Sequence, residues 1–251
     1  MTLGRAKLAM AQGVSVWVLE APDGFGDAAF HAHHAIQITF CLRGSLMLAT
    51  DTETLSAPAI AVAADARHRF EAHGLLAFVF VEPESPPGRA LSQSLFTGQI
   101  LAALDSAVVP AAEELASTFE VGLDAGALLA AGRAVLERLA PAGPAPLPDA
   151  RVRKIIDHAA THLDGPLSLA GAAEAGVHLS PSRLRHLFVE QTGLAFKTYV
   201  LWLRLVRAIQ VYAEGRPLTE AAHAAGFADS AHFSRVFKRT FGLPATTLTR
   251  L

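Results

Sequence analysis

Two groups of residues in this chain of 251 amino acids have the types and spacing to do chemistry. The first is His31-Ala-His33-His-Ala-Ile-Gln37, followed by His68 beyond Pro58. On a strand, side chains alternate, so His31, His33 and Gln37 fall on one face. Three imidazoles hold a divalent cation such as zinc, iron or nickel when their geometry is right, with the oxygen of Gln37 a weak fourth ligand. The competing reading of the same residues is a polar lining that hydrogen-bonds a small molecule. His34, on the opposite face, and His73, beside a glycine, read as surface. The second group is polar and basic. Ser182, Arg183, Arg185 and His186 form one stretch; Ser230, Ala231, His232, Ser234, Arg235 and Lys238 form another. Hydroxyls, imidazole and guanidinium suit base edges in a DNA major groove, the basic groups also suit phosphates, and an alanine methyl suits a thymine methyl.

An internal repeat must position the second group. A shift of forty-nine positions lays Leu169 on Leu218, Ala173 on Ala222, Ser180 on Asp229, Leu184 on Phe233, Phe188 on Phe237 and Gly193 on Gly242. Each copy reads as a short helix, a tight turn, an N-capping residue and a second helix with one apolar face, the form of a helix-turn-helix unit. Asp149 caps a helix to about His162, Ser168 caps a short one ending near Gly176, and Ser180-Pro181 starts the first reading helix. Leu184, Leu187 and Phe188 point inward there, as do Phe233, Val236 and Phe237 in the second copy. Between the copies, Phe196 to Ala213 reads as one helix about 27 Å long. It is rigid enough to hold two reading helices about one DNA turn, ~34 Å, apart, with Arg204 and Arg207 near phosphate.

Charge divides the chain. Residues 1–149 hold 8 Lys+Arg against 16 Asp+Glu, a net of −8, and 150–251 hold 13 against 7, a net of +6. A basic half joined to an acidic one fits a nucleic-acid-binding module attached to a part with another task. No apolar run reaches membrane-spanning length, and the first residues lack the apolar core of a secretory signal. The single cysteine, Cys41, excludes an internal disulfide framework, fits a reducing cytoplasm and reads as a small buried hydrophobe. Residues 14–82 read as antiparallel strands, with Val14, Val16 and Val18 alternating, runs at Ile36–Phe40 and Phe78–Val81, and Gly44, Pro58 and Gly74 as punctuation. From Ala90 to Leu139 the texture is helical, with Leu128, Leu136 and Leu139 either a dimer seam or core. Four prolines within 141–148 forbid regular structure and mark a stiff spacer.

At the residues Leu203-Arg-Leu-Val-Arg207-Ala, Leu218-Thr-Glu-Ala-Ala-His-Ala-Ala-Gly226-Phe and Asp229-Ser-Ala-His-Phe233-Ser-Arg-Val-Phe237-Lys-Arg-Thr-Phe-Gly242, the chain resembles the C-terminal signature of AraC/XylS-family transcriptional regulators. The resemblance covers roughly residues 150–250. It implies two helix-turn-helix units joined by a linker helix, promoter DNA as partner and RNA polymerase as a second one. It also implies reading by Ser182, Arg185 and His186, then Ser230, Ala231, Ser234 and Arg235. One departure is local: Gly242-Leu243-Pro244 is a residue shorter than the family's usual spacing, and the ending reads Leu248-Thr-Arg250, so the C-terminal cap differs. The H-x-H-x3-Q-x6-G pattern with His68 resembles the cupin barrel that such regulators commonly carry as a sensor, with Gln37 where the cupin metal pattern has glutamate.

The expected fold is therefore α+β. A cupin-like antiparallel β-barrel spans 1–85, a helical cover and dimerisation segment 86–140, the spacer 141–148, and an all-α domain with two helix-turn-helix units 149–251. The expected function is a cytoplasmic, sequence-specific DNA-binding regulator answering to a small molecule or metal in the barrel, with a homodimer contact and no membrane partner. One alternative is a metal-dependent cupin enzyme, a dioxygenase or isomerase, fused to a DNA-binding domain. Another is a regulator whose sensor binds only protein, or nothing.

Overall fold

The computed structural model describes residues 4–25, 28–105, 108–122, 124–140, 147–174, 176–245 and 247. It divides into two compact units, Met1–Ala145 together with Phe237–Leu251, and Pro146–Val236. Residues 237–251, expected to close the DNA-reading half, thus group with the sheet. Among them Phe241, Leu243 and Ala245 are apolar and buried. Most of the expected spacer, 141–146, lies outside the described residues, as does the ending at 248–251.

The first unit is built on strands β1 (Ala6–Ala11), β2 (Val14–Ala21), β3 (Ile36–Ala49), β4 (Thr54–Ser56), β5 (Ala59–Val62), β6 (Arg69–Val81) and β7 (Leu101–Ala103). They form one antiparallel sheet in the order β1-β2-β6-β3-β5-β7, with β4 beside β3. The sheet is antiparallel as expected, but its strand order is an open path and not a closed ring. Helices α1 (Pro86–Leu95), α2 (Val109–Val121) and α3 (Ala125–Leu139) follow, begun by Ser85, which caps the Gly88 N–H, and by Asp124, which caps that of Ala127. The stretch expected to be wholly helical holds the short strand β7. It completes the sheet edge by pairing Ala61 with Ala102.

Strand parity sorts the core into two faces. Val16, Val18, Ile36, Ile38, Phe40, Val79 and Val81 pack against Leu115, Phe119, Leu128, Val135 and Leu136 of α2 and α3. Burying such side chains supplies roughly 1.5–3 kcal/mol each. Leu128 and Leu136 are thus core, which removes them from any dimer seam. The alternate residues Trp17, Gln37, Thr39, Phe78 and Phe80 share the other face, since Trp17 pairs with Phe78 and Gln37 with Phe80 across the ladders. From that face Trp17, Gln37, Phe78 and Phe80 line a cavity with Phe25, Phe70 and His31. Both faces of β2 are buried, so its valines do not alternate with exposed residues. Gly44 and Gly74 do not end strands either. They face each other inside the β3–β6 ladder with φ of +113° and +99°, where an added Cβ would strike the opposing strand's carbonyl. Only glycine tolerates that approach.

The second unit matches the sequence expectation helix by helix: α4 (Ala150–Thr161), α5 (Leu169–Glu174), α6 (Pro181–Thr192), α7 (Phe196–Ala213), α8 (Leu218–Ala224) and the start of α9 (Ser230–Phe241). Asp149 caps α4 through the Arg151 N–H, Ser168 caps α5 through Gly171, and Ser180 caps α6 through Arg183 ahead of Pro181. Asp229 plays the same part for α9 through the His232 N–H. Leu184, Phe188, Tyr199, Phe233 and Val236 are buried, as the repeat required.

Candidate metal centre and nucleic-acid interface

Strand pairing brings the histidines together. His31 and His68 form an isolated antiparallel bridge, exchanging N–H···O bonds of 2.8 and 2.9 Å, so their side chains stand opposite each other with ring centroids 4.3 Å apart. His33, two residues on, lies on the same side, 5.1 Å from the His68 ring. Gln37 follows inside β3, its Oε1 3.0 Å from His33 Nε2 and its Nε2 donating to Thr39 Oγ1 at 2.9 Å. Each of the three histidines offers a nitrogen within 4.8 Å of the others, and all three are buried. Among the described residues this is the group of such donors able to share a cation.

The outer nitrogens are anchored. Nδ1 of His31, His33 and His68 meets the carbonyl oxygen of Ala29, Ala35 and Ala66 at 2.8, 3.1 and 2.9 Å. Donating there fixes the tautomer and turns each Nε2 lone pair inward, the orientation a metal needs. His68 Nε2 is buried with no hydrogen-bond partner. Burial lowers the affinity of all three for protons, bringing His33 to about 4, with neighbouring imidazoles adding to the effect for His33 and His68. They are neutral at physiological pH, the form that binds metal.

His34 is not at the surface. It is 3% exposed, with Nδ1 3.0 Å from Asp65 Oδ2 and Nε2 3.1 Å from Glu84 Oε2. Burial opposes its charge, but the two carboxylates outweigh that and raise its pKa to about 9. The Asp65 N–H also donates to the His33 carbonyl at 2.9 Å, so the pair braces the loop that carries the cluster. His73 is exposed, as expected.

These histidines give the metal-free protein a two-sided pH dependence. His33 has a folded pKa below its unfolded value, so its contribution is present above about 6.5 and lost as pH falls toward 4. It is on the order of 3 kcal/mol for such a shift. His34 has the opposite sign: its contribution is complete below about 6.5 and lost as pH rises through 9. Urea unfolding of chelator-treated protein should show stability greatest near neutrality and declining on both sides. In His34→Gln the alkaline decline should shrink, and an unchanged alkaline limb would refute the assignment.

In the second unit, Ser182, Arg183, Arg185 and His186 all stand exposed on α6, opposite buried Leu184 and Phe188. On α9, Ala231, Arg235 and Lys238 are exposed, while Ser230, His232 and Ser234 are half-buried. Ser234 Oγ donates back to the Ser230 carbonyl at 2.8 Å, and the His232 ring lies edge-on to Phe227, 5.2 Å away. On α7, Arg207 is exposed and donates to Gln210 Oε1 at 3.2 Å. Arg204, expected near phosphate, is held by protein instead. Its Nε donates to the Leu163 carbonyl at 3.0 Å and its Nη2 to the Gly165 carbonyl at 2.8 Å. Gly226, at φ +78°, packs so closely that an added Cβ would sit 2.9 Å from Arg204 Nε and strike the Leu163 carbonyl. Arg204 thus fastens the loop after α4 to the linker helix. One cation escaped the sequence reading: Lys197, exposed in the first turn of α7, lines a groove with Ser168, Arg185, Phe188 and His232. A single lysine in a helix's first turn carries no spacing signal.

A helix-turn-helix domain family matches residues 156–250. The arabinose operon regulatory protein of Salmonella typhimurium is 36% identical over 96 residues, 38% of this chain and 34% of that protein; its Escherichia coli counterpart is 36% identical over 96 residues and 32% of its own length. The chain thus spans about a third of the length of these relatives. In fold, ToxT of Vibrio cholerae superposes with a TM-score of 0.58 at 14% identity, over 95% of this chain and 97% of that one. Over its C-terminal residues 156–250, then, this chain carries a helix-turn-helix domain similar to that of the arabinose operon regulators.

Proposed function

We propose that the protein is a sequence-specific DNA-binding transcription regulator whose sheet domain senses a metal ion or small molecule. The observation that carries the first part is the pair of capped helices, α6 and α9, with exposed basic and hydroxyl residues opposite a buried apolar face. Duplex promoter DNA is the partner, with RNA polymerase a second one by family. Ser182, Arg185, His186, Ser230, Ala231, Ser234 and Arg235 face bases, and Arg183, Lys197, Arg207 and Lys238 face phosphates. Among the described residues no helix is long and apolar enough to cross a membrane, which suits a cytoplasmic regulator. The relatives are regulators, and the alternative of a fused cupin enzyme has no support beyond the histidines themselves.

For the sensing part, we propose that His31, His33 and His68 hold a divalent cation of the zinc, iron or nickel type, with Gln37 as oxygen donor. Neutral His33 has one proton for two acceptors, the Ala35 carbonyl and Gln37 Oε1. A cation on the Nε2 side satisfies the second, and it also gives the orphaned His68 Nε2 a partner. Bound there, the ion would fix the loops that carry His31 and His68 and offer an open position to an effector oxygen.

Arg185→Ala and Arg235→Ala test the DNA reading. Each should cost about 1–3 kcal/mol if the guanidinium forks onto a guanine. The loss should concentrate at one base pair in each half of the footprinted site. Equal losses on specific and random duplexes would reassign both residues to phosphate.

A further inference from the structure

The cavity beside the histidines already has an occupant. Phe241, the last residue of α9, is 6% exposed, and its ring lies 5.2 Å from Trp17, 5.7 Å from Phe80 and 5.7 Å from His33. The next residue, Gly242, accepts a hydrogen bond from the Ala29 N–H at 3.3 Å. Its φ is +70°, and an added Cβ would lie 2.5 Å from both the Ala29 carbonyl oxygen and His31 Nδ1. The backbone is therefore seated against the histidine cluster too closely for any side chain at 242. With Phe241 in place, only about 30 Å³ of the cavity is left open. That is room for a water molecule, whereas a benzene-sized guest needs about 150 Å³. Trp17, one of the lining residues, nonetheless has its Nε1 buried as a donor with no acceptor, in a class of groups that are almost always paired.

We propose that the Phe241 ring is a built-in competitor, standing where the ring of a small aromatic effector binds. This rests on the effector-sensing reading above and names the effector's class. The slot is shaped by rings at tilted and edge-on angles, the geometry that selects a flat six-membered aromatic. Trp17, with its unpartnered Nε1–H, lines this cavity together with the polar side chains of His31 and Gln37. A hydroxyl on the ring would give that donor an acceptor, so the class is a phenol. Because seated Phe241 excludes the guest, the two states differ in affinity by construction, which is what a ligand-driven shift requires. Arg235 lies less than two turns before Phe241 on the same helix, so vacating the slot frees the end of a DNA-reading helix.

The test uses the full chain and phenol itself, with benzene (no oxygen) and cyclohexanol (no flat ring) as controls, followed by calorimetry and ligand-observed NMR. Phe241→Ala, which removes the competitor, should bind phenol about tenfold tighter than wild type. Benzene and cyclohexanol should bind that variant more weakly than phenol does. If Phe241→Ala does not fold, Phe241→Leu should keep the core and still show a gain of a few-fold. In the wild type, amides of Phe237–Phe241 should exchange with solvent faster when phenol saturates the site. Equal phenol affinities for variant and wild type, unchanged exchange at saturation, or no phenol binding by either protein at millimolar concentration would overturn the proposal. A mobility shift of wild type on promoter DNA, without phenol, is read separately. Its absence would sink the regulator reading while leaving the phenol measurements standing.

Discussion

Raising salt from about 50 to about 200 mM should weaken binding of the full chain to promoter duplex by about a thousand-fold. Six of the seven exposed Lys and Arg side chains on α6, α7 and α9 are those assigned to DNA: Arg183, Arg185, Lys197, Arg207, Arg235 and Lys238. If each displaces one condensed counterion, the logarithm of the affinity falls with a slope near −5 against the logarithm of salt. Arg204 is left out of that count because two carbonyls hold its guanidinium. Lys197→Ala should lower the slope by about one and weaken specific and random DNA alike, as a phosphate contact does. Arg204→Ala should instead lower the thermal midpoint, since it leaves two carbonyls without their donor. Fluorescence anisotropy across a salt series decides the matter: a slope near −1 would mean that these cations do not lie along the duplex.

The other large effect concerns metal. Protein purified without a histidine tag should carry close to one zinc, iron, nickel or similar ion per chain, and His33→Ala or His68→Ala should abolish it. Removing one of three imidazoles leaves two strong donors and the weak oxygen of Gln37, too few for a stable site. Elemental analysis gives the stoichiometry directly. Metal absent from wild type, or retained in both variants, would return the three histidines to the role of cavity lining. Gln37→Glu, which supplies the carboxylate of the cupin pattern, should tighten binding, because an anionic oxygen is a better ligand for a dication than an amide.

The helical half could be read almost completely in advance, because its determinants are local. A capping Ser180 followed by Pro181, apolar residues three and four apart, and a glycine after the last turn specify a helix wherever the chain goes. The helix Phe196–Ala213 was therefore legible to its end residues. Strand parity was legible in the same way: once Gln37 is in a strand, Ile36 and Ile38 must face the opposite side. The three histidines were nominated as a set by the resemblance of their pattern to the cupin one.

What they touch was decided by pairing between distant segments. The bridge that sets His31 against His68 depends on which strands become neighbours, and no periodicity encodes that. The same holds for His34, whose place on the other side of its strand suggested solvent. Asp65 and Glu84, remote in sequence, close over it, and two carboxylates offset the cost of burying its charge. Arg204 looked like a free cation at helical spacing until folding brought two carbonyls within reach of its guanidinium. Phe241 carried the signature of a helix's apolar face, but not which surface that face would meet. Capping and periodicity act within a few residues, so the sequence by itself determined the elements, their faces and the candidate residues. Burial and partnership depend on contacts that close only when the chain is folded, and the tertiary structure alone decided those.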